Sequence, residues 1–208
     1  MKKAIRSIFC LLFLSFALSA NAERSNRINL SFDMGLGGLS SELSGDTHGR
    51  VIIDAFFGAE YTKIFDNGFL AGGGIQTGST GLVWFETVGS TLYSFSAIGD
   101  SFLLYPIVGK AYGKNHNSQF LLHPIKIQSV MIDTVEVKHD NDTVNKISTE
   151  DGIFVMYKTG LYYSFQWGKK LLRNGIILGG DFIWNSTGDF KKSSGLEFTL
   201  GYKLSFGF

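Results

Sequence analysis

Residues 195–208 alternate strictly between apolar side chains and polar or small ones. The apolar positions are Leu196, Phe198, Leu200, Tyr202, Leu204, Phe206 and Phe208, and between them stand Glu197, Thr199, Gly201, Lys203, Ser205 and Gly207. A period of two residues predicts a β-strand with one wholly apolar face. A soluble sandwich would bury that face in its core, whereas a membrane barrel would turn it toward lipid. The period alone therefore leaves both folds open.

The beginning of the chain predicts export. Three positive charges precede an apolar stretch at residues 8–18, and Ala20-Asn21-Ala22 supplies small residues where a signal peptidase cleaves. A membrane-spanning helix needs about 20 apolar residues, which is more than this stretch provides. We therefore assign residues 1–22 to a cleaved signal peptide and residues 23–208 to a single mature domain.

Cleavage changes the composition that matters for function. It removes Cys10, the single cysteine of the chain, so neither a disulfide framework nor a cysteine-based zinc site is expected. Removing Lys2, Lys3 and Arg6 lowers the formal charge from +1 to −2. This balance argues against nucleic acid as a partner, because phosphate binding requires a basic surface. The 26 glycines, 19 phenylalanines and two prolines favour a β-rich protein over a helical one.

Five positions of the terminal strand carry a second signal. Thr199, Gly201, Leu204, Phe206 and Phe208 show the spacing polar-x-Gly-x-x-apolar-x-aromatic-x-aromatic. This spacing resembles the C-terminal signal of bacterial outer-membrane barrels. The resemblance implies periplasmic chaperones, the barrel assembly machinery and outer-membrane lipid as partners. It favours an all-β fold in which residues 23–208 form a closed antiparallel transmembrane β-barrel.

Other segments show the alternation expected of such a barrel. The clearest lie at residues 28–37, 51–62, 153–167 and 176–185. Further strands are assigned to residues 69–80, 101–112 and 119–136, which gives eight in total. Pro106 and Pro124 predict bulges or strand ends, because proline cannot donate to the ladder. A ten-strand alternative adds residues 81–87 and 91–97, although about seven residues is short of the usual 9–11.

The connectors alternate between short and long. Asp66-Asn67-Gly68 and residues 169–174 suit short turns. Longer polar connectors are assigned to residues 38–50, 81–100 and 138–152. Barrels of this class have short periplasmic turns and longer outer loops. The pattern therefore predicts an outer-membrane protein whose two termini are periplasmic and whose three long loops lie outside.

The row opposite the apolar one predicts the barrel interior. It carries the charged residues Asp33, Asp54, Glu60, Lys158, Asp181, Glu197 and Lys203. Buried charges must pair, and an eight-stranded barrel is nearly filled by its own side chains, so we expect a packed polar network. The alternative is a narrow passage, for which the glycines at positions 35, 37, 58, 160, 179 and 201 would leave space. Trp167 and Trp184 are expected at the two membrane interfaces as an aromatic girdle.

Candidate catalytic residues lie in the polar connectors. Small outer-membrane barrels include lipid-A acyltransferases, which use His, Asp and Ser. Here His48 lies near Ser41, Ser44 and Asp46, and His139 lies beside Asp140. Sequence spacing does not bring a nucleophile and a base within hydrogen-bond reach, so an enzyme is the weaker hypothesis.

Two further motifs match only in part. Residues 116–119 begin like the His-x-Ser-Asn pattern of lipid-A deacylases but end in Gln119. Asp140-Asn141-Asp142 resembles part of a calcium loop but lacks its glycine and distal glutamate. We therefore expect no catalytic residue, no cofactor and no metal.

In architecture and C-terminal signal the chain resembles the small outer-membrane barrels of the OmpX, OmpA and OmpW groups. It is also similar in general character to uncharacterised small barrels of treponemes. The leading hypothesis is a monomeric, non-enzymatic outer-membrane protein that displays its loops for contacts with the environment or a host. The alternative is a narrow OmpW-like channel for small apolar solutes, because Ile52 and Phe56 are apolar residues expected to face inward.

Overall fold

The computed structural model describes residues 26–43, 46–88, 90–113, 115–139, 142–169, 171–187 and 191–208. The assigned signal peptide lies outside these residues. Eight antiparallel strands follow one another: β1 (Asn26–Leu43), β2 (Asp46–Ile64), β3 (Phe69–Val88), β4 (Thr91–Tyr112), β5 (Ser118–His139), β6 (Asp142–Lys169), β7 (Leu172–Thr187) and β8 (Lys191–Gly207). Each strand pairs with its neighbours in sequence, and β8 pairs with β1, so the sheet closes into a barrel. The predicted eight-stranded closed barrel is confirmed.

The ten-strand alternative is wrong. Residues 81–87 and 91–97 are the paired ends of β3 and β4, so they lengthen two strands and do not form two more. Among the residues that the structure describes, no helix has the length and apolar character needed to cross a membrane.

The strand ends define two rims. The terminal rim contains Asn26, Gly207 and the strand ends beside the turn at residues 65–68 and beside residues 115–117 and 171. The far rim lies at the opposite ends of the strands, at Leu43, Asp46, Val88, Thr91, His139, Asp142, Thr187 and Lys191. The short β2–β3 turn is closed by a hydrogen bond from Phe65 N to Phe69 O, and Gly68 adopts a φ of 79° that favours glycine. The turn predicted at Asp66-Asn67-Gly68 is present.

The predicted long loops are mostly strand. β1 continues to Leu43 and β2 begins at Asp46, so little of the connector assigned to residues 38–50 is irregular. Likewise β3 and β4 pair to within a few residues of their hairpin, and β5 and β6 pair from His139 and Asp142 onward. A strand needs about 9–11 residues to cross a bilayer, and β6 contains 28. The polar character of these segments reflects water around strand extensions and does not indicate missing strands.

The apolar rows face outward around the barrel. On β8, Phe198 is 73% exposed and Leu200 is 59% exposed. Glu197, which precedes Phe198 in the sequence, is buried on the opposite face of the strand. A sandwich would bury the phenylalanine and expose the glutamate. The structure therefore resolves the alternative that the alternation at residues 195–208 left open.

Two neighbouring ladders are interrupted at the prolines, as their positions predict. The β4–β5 ladder loses pairing between Leu104 and Val108, on either side of Pro106. The β5–β6 ladder loses pairing between His123 and Lys126, on either side of Pro124. The carbonyl oxygen of Pro124 accepts a hydrogen bond of 3.0 Å from the Thr159 hydroxyl, which satisfies one backbone group freed by the interruption.

Candidate functional site

Side chains of the barrel wall fill the lumen. A cluster of buried apolar residues lies toward the far rim: Leu39, Ile52, Leu82, Trp84, Ala97, Val130, Ile132, Phe154, Met156 and Ile183. A second cluster extends toward the terminal rim: Phe56, Ile64, Leu70, Leu103, Tyr105, Ile107, Ala111, Leu121, Tyr162 and Ile177. A network of ion pairs and hydrogen bonds, here called the lumen network, lies at the middle of the strands and contacts both clusters.

Lys158 on β6 is the centre of the lumen network. Its ammonium group donates hydrogen bonds to Asp54 Oδ2 at 3.0 Å and to Glu197. The second oxygen of Asp54 accepts a hydrogen bond of 2.6 Å from the Thr80 hydroxyl, which itself accepts one from Gln128 at 2.7 Å. Because these side chains are buried, each charge is compensated within the network and not by bulk water.

A second ion pair joins Lys203 on β8 to Glu60 on β2, with a distance of 2.5 Å between Nζ and Oε2. The Tyr105 hydroxyl donates to the other carboxylate oxygen at 2.9 Å, and Asn29 donates to Oε2 at 3.3 Å. Glu60 therefore receives hydrogen bonds from three other strands, which fixes its orientation in the lumen.

A third ion pair joins Lys126 on β5 to Asp181 on β7 at 2.6 Å. The Tyr162 hydroxyl lies between them, accepting from Lys126 at 2.7 Å and donating to Asp181 at 2.6 Å. Lys126 is absent from the interior residues predicted by sequence. Interior positions of β5 are odd-numbered before Pro124 and even-numbered from residue 126 to residue 132, because the irregularity at Pro124 changes the alternation.

The seven charged residues predicted to face inward all lie in the lumen network and are buried. Together with Lys126, six of them form four ion pairs in three separate groups, and two of these pairs share Lys158. The seventh, Asp33, accepts a hydrogen bond from Gln76, and its Oδ1 has no hydrogen-bond partner among the described residues.

Glycines of the wall make room for this network. A Cβ atom at Gly201 would overlap Asp33, one at Gly35 would overlap Glu197, and one at Gly160 would overlap Asp181. Gly58 and Gly179 similarly accommodate the side chains of Gln76 and Tyr162. At Gly37 the backbone of β8 comes close. The space beside the six glycines that were considered as possible openings is therefore filled by neighbouring side chains or backbone.

The space left inside the lumen network is small. A cavity of about 20 Å³ lies among Asp33, Glu60, Gln76, His123 and Lys126. This volume holds about one water molecule. Ile52 and Phe56, the inward residues that suggested a channel, pack in the far-rim and terminal-rim clusters respectively. Their burial gives them a packing role in this structure.

His123 is a buried residue that sequence reasoning did not identify. Its ring lies between the rings of Tyr105 and Tyr162, at centroid distances of 4.6 and 4.5 Å. Neither ring nitrogen has a hydrogen-bond partner among the described residues. A strict alternation along β5 from its start would have placed this residue inside.

The terminal rim contains two inward-facing arginines. Arg27 donates to Gln166 at 2.7 Å, and Arg173 donates to the carbonyl oxygen of Asn115 at 2.5 Å. Asn115 and His116 in this β4–β5 connector have φ angles of 70° and 56°, which lie in the left-handed region. The hydrogen bond from Arg173 fixes this part of the connector at the terminal rim. Burial and the two guanidinium groups lower the pKa of His116 below its ordinary value.

Of the candidate catalytic residues in the polar connectors, His139 has a described side chain. The side chains of His48, Ser41, Ser44, Asp46 and Asp140 lie outside the residues whose side chains are described. His139 approaches the Leu92 carbonyl oxygen at 3.3 Å and the Tyr93 ring. Within the partial deacylase motif, His116 lies in the turn whereas Gln119 faces the lumen.

No three His, Cys, Asp or Glu side chains converge as metal ligands within the described residues. The calcium-like stretch at residues 140–142 has no described side chain.

The residues of the C-terminal signal lie on β8 or directly after it. Thr199 and Gly201 face the lumen, whereas Leu204 and Phe206 belong to the outward row. The backbone N–H of Phe208 donates a hydrogen bond to Asn26 O at 3.0 Å, so residue 208 is joined to the first residue of β1. Trp167 lies near the terminal rim and Trp184 nearer the far rim, and each is 45% exposed on the outer wall.

No protein-family model and no curated protein matches this sequence. Several solved structures are similar to the chain, among them the following three. The translocator domain of the autotransporter NalP from Neisseria meningitidis has 9% identity and a TM-score of 0.39, with 99% of this chain and 96% of that chain covered. Neisserial surface protein A has 11% identity and a TM-score of 0.38, with 85% and 96% covered. The outer membrane protease OmpT from Escherichia coli has 5% identity and a TM-score of 0.37, with 89% and 98% covered.

These similarities are too low to indicate what the chain binds or catalyses. The description of its fold rests on its own strand pairing.

Proposed function

We propose that the protein is an integral, non-enzymatic protein of the bacterial outer membrane with a closed lumen, which acts through its far rim. The observation that carries this proposal is the contrast between an apolar outer wall and a lumen packed with ion pairs. Large apolar side chains such as Phe57, Phe102, Leu161 and Phe198 are at least half exposed on the outer wall. In water this wall would expose a continuous apolar surface, whereas in a membrane the apolar side chains would contact the acyl chains of lipids. The closed ladder also leaves few backbone groups unpaired, as a membrane requires.

The far rim is the surface that the proposal assigns to contacts outside the cell. β3, β4, β5 and β6 contain 20, 22, 22 and 28 residues and extend the wall beyond the length needed for a crossing. Phe85 and Leu92 remain exposed close to the β3–β4 hairpin, and Glu136 and Lys138 form an ion pair of 3.6 Å on the neighbouring strand. An exposed apolar pair beside charged residues is suited to binding another molecule.

Single-cysteine labelling tests the location and the orientation together. The mature chain contains no cysteine, so Thr87→Cys at the far rim and Asp66→Cys at the terminal rim each introduce one exposed thiol. We expect a membrane-impermeant maleimide to label Thr87→Cys on intact cells and Asp66→Cys only after the envelope is permeabilised. Labelling of Asp66→Cys alone on intact cells would reverse the orientation, and labelling of neither would refute display at the surface.

Reconstitution separates the closed barrel from the channel alternative. With its lumen filled by the two apolar clusters and the lumen network, the protein should give no conductance and no uptake of small apolar solutes in liposomes. An open porin in the same liposomes is the positive control. Steady conductance by the wild-type protein would favour the channel. For the non-enzymatic part of the proposal, overexpression should leave the lipid-A mass spectrum unchanged.

A further inference from the structure

The outer wall has a groove of about 630 Å³ across β4, β5 and β6. It is walled almost entirely by apolar side chains, chiefly Val108, Phe120, Leu122, Leu161, Tyr163 and Leu178. The Phe120 and Tyr163 rings contact each other with centroids 5.1 Å apart, which gives the groove a firm aromatic side. The groove is open to the surroundings of the barrel.

The groove lies beside the interrupted ladders. Pairing between β4 and β5 resumes with Val108 opposite Leu122, directly after the interval that contains Pro106 and Pro124. The groove begins at this pair and extends toward the terminal rim, where the pairing of β4 with β5 is regular.

Lys110 lines the end of the groove that faces the terminal rim. It is exposed, lies two residues before the end of β4, and is paired with Phe69 on one side and Phe120 on the other. The opposite end of the groove reaches Leu178 in the middle of β7. The groove thus covers the depth from the middle of the wall to one edge, with a single positive charge at that edge.

We propose that this groove binds one phospholipid, with an acyl chain along the apolar lining and the lipid phosphate on Lys110. The proposal rests on the membrane location proposed above. An apolar trough one leaflet deep matches an acyl chain. A lysine at the membrane edge places its ammonium group at the level of lipid headgroups, which makes the two ends complementary to the two parts of a phospholipid. The bound lipid belongs to the leaflet next to the terminal rim.

Native mass spectrometry of the full mature protein tests the proposal. The protein is taken from vesicles of phosphatidylethanolamine and phosphatidylglycerol into a mild detergent, and the fraction that retains one phospholipid is measured. Val108→Trp fills the groove and should reduce retention at least tenfold. Leu36→Trp adds the same ring to the outer wall of β1, two strands away from either side of the groove, and should retain lipid as the wild type does.

A second pair of variants tests the headgroup contact. Lys110→Gln should reduce the fraction that retains lipid about fivefold. This is the change in affinity that corresponds to about 1 kcal/mol, the contribution of one lysine near an anionic membrane surface. Lys63→Gln removes a lysine from the same edge of another wall, where its ammonium group lies 5.3 Å from the centre of the Phe65 ring, and should have no effect.

Equal retention by Val108→Trp, Leu36→Trp and the wild type would overturn the proposal, because the lipid would then be bound all around the barrel. Equal losses in Lys110→Gln and Lys63→Gln would overturn the assigned headgroup contact. If the proposed membrane location is wrong, the result is distinguishable from these outcomes, because the wild-type protein would then neither sediment with the outer membrane nor insert into vesicles.

Discussion

The barrel wall has two parts of unequal regularity. In the part from β7 through β8, β1 and β2 to β3, here called the regular wall, the ladders shift register only once, between Ser40 and Glu42 close to the far rim. In the part formed by β4, β5 and β6, here called the irregular wall, the two ladders shift five times. The regular wall keeps the period of two residues along its strands except on β7 after Ile183, near the far rim, whereas the irregular wall changes it at Pro124 in the middle of the sheet.

The lumen network connects these two parts. All five buried carboxylates of the network lie on the regular wall, on β1, β2, β7 and β8. Two of the three lysines, Lys126 and Lys158, lie on the irregular wall. The ion pairs of these lysines therefore bind the less regular part of the sheet to the more regular part across the lumen. The irregular wall therefore depends on the network for its position. Three variants test the comparison between the two walls, from the largest expected effect to the smallest.

Lys158→Met removes the strongest connection between the two walls. We expect it to lower the free energy of unfolding by about 3–5 kcal/mol, because Asp54 and Glu197 would stay buried without their shared cation. Urea unfolding from lipid vesicles, followed by tryptophan fluorescence and by heat-modifiable mobility on gels, measures the change. Lys63→Met, which removes an ammonium group near the outer wall, is the control and should change stability by less than about 0.5 kcal/mol.

A triple variant examines the cause of that loss. Adding Asp54→Asn and Glu197→Gln to Lys158→Met removes the uncompensated charges, so much of the stability should return. If the triple variant is no more stable than Lys158→Met, the loss of stability comes from packing. The hypothesis that ion pairs connect the two walls would then be wrong.

Gly201→Ala tests the regular wall alone. The added Cβ would overlap Asp33 and contact the Ile177 methyl group at 2.5 Å, so we expect a loss of about 1–3 kcal/mol from overpacking. Gly38→Ala on the same wall is the matched control, because a Cβ there meets no atom within 4 Å. The two variants are compared in the same urea experiment. Equal stability would mean that the lumen has room beside β8, contrary to a filled interior.

Sequence reasoning succeeded where the wall is regular. The alternation on β8 and β1 separates Glu197, Lys203 and Asp33 from the outward apolar row, and the structure has the same separation. The strand count could also be predicted, because turn chemistry such as Asp66-Asn67-Gly68 marks the hairpins at the terminal rim. These features depend on local periodicity, which a single sequence displays directly.

The irregular wall and the far rim could not be predicted in the same way. Pro124 predicted an irregularity, but its size decides whether Lys126 faces lumen or lipid, and that size depends on how β4, β5 and β6 pair in three dimensions. The far-rim segments were assigned as loops because strand extensions beyond a membrane are polar on more than one face. Arg50, the last residue of the connector assigned to residues 38–50, is instead buried in β2, with its guanidinium 5.3 Å from the centre of the Trp84 ring.

His123→Phe produces the smallest expected change and tests the irregular wall directly. Phenylalanine keeps the ring between Tyr105 and Tyr162 but removes two nitrogens that have no hydrogen-bond partner among the described residues. Removing unpaired buried polar atoms should leave stability unchanged or raise it by about 1 kcal/mol in the urea experiment.

His123→Leu is the matched comparison for His123→Phe, since it also removes the nitrogens but loses the aromatic contacts, and it should be less stable than the phenylalanine variant by about 0.5–1.5 kcal/mol. If His123→Phe itself costs more than about 1 kcal/mol, a ring nitrogen has a partner such as a water molecule in the adjacent cavity of about 20 Å³. His123 would then belong to the lumen network. In that case the irregular wall would be held by a third polar contact in addition to Lys126 and Lys158, and its dependence on the lumen would be greater than the ion pairs alone indicate.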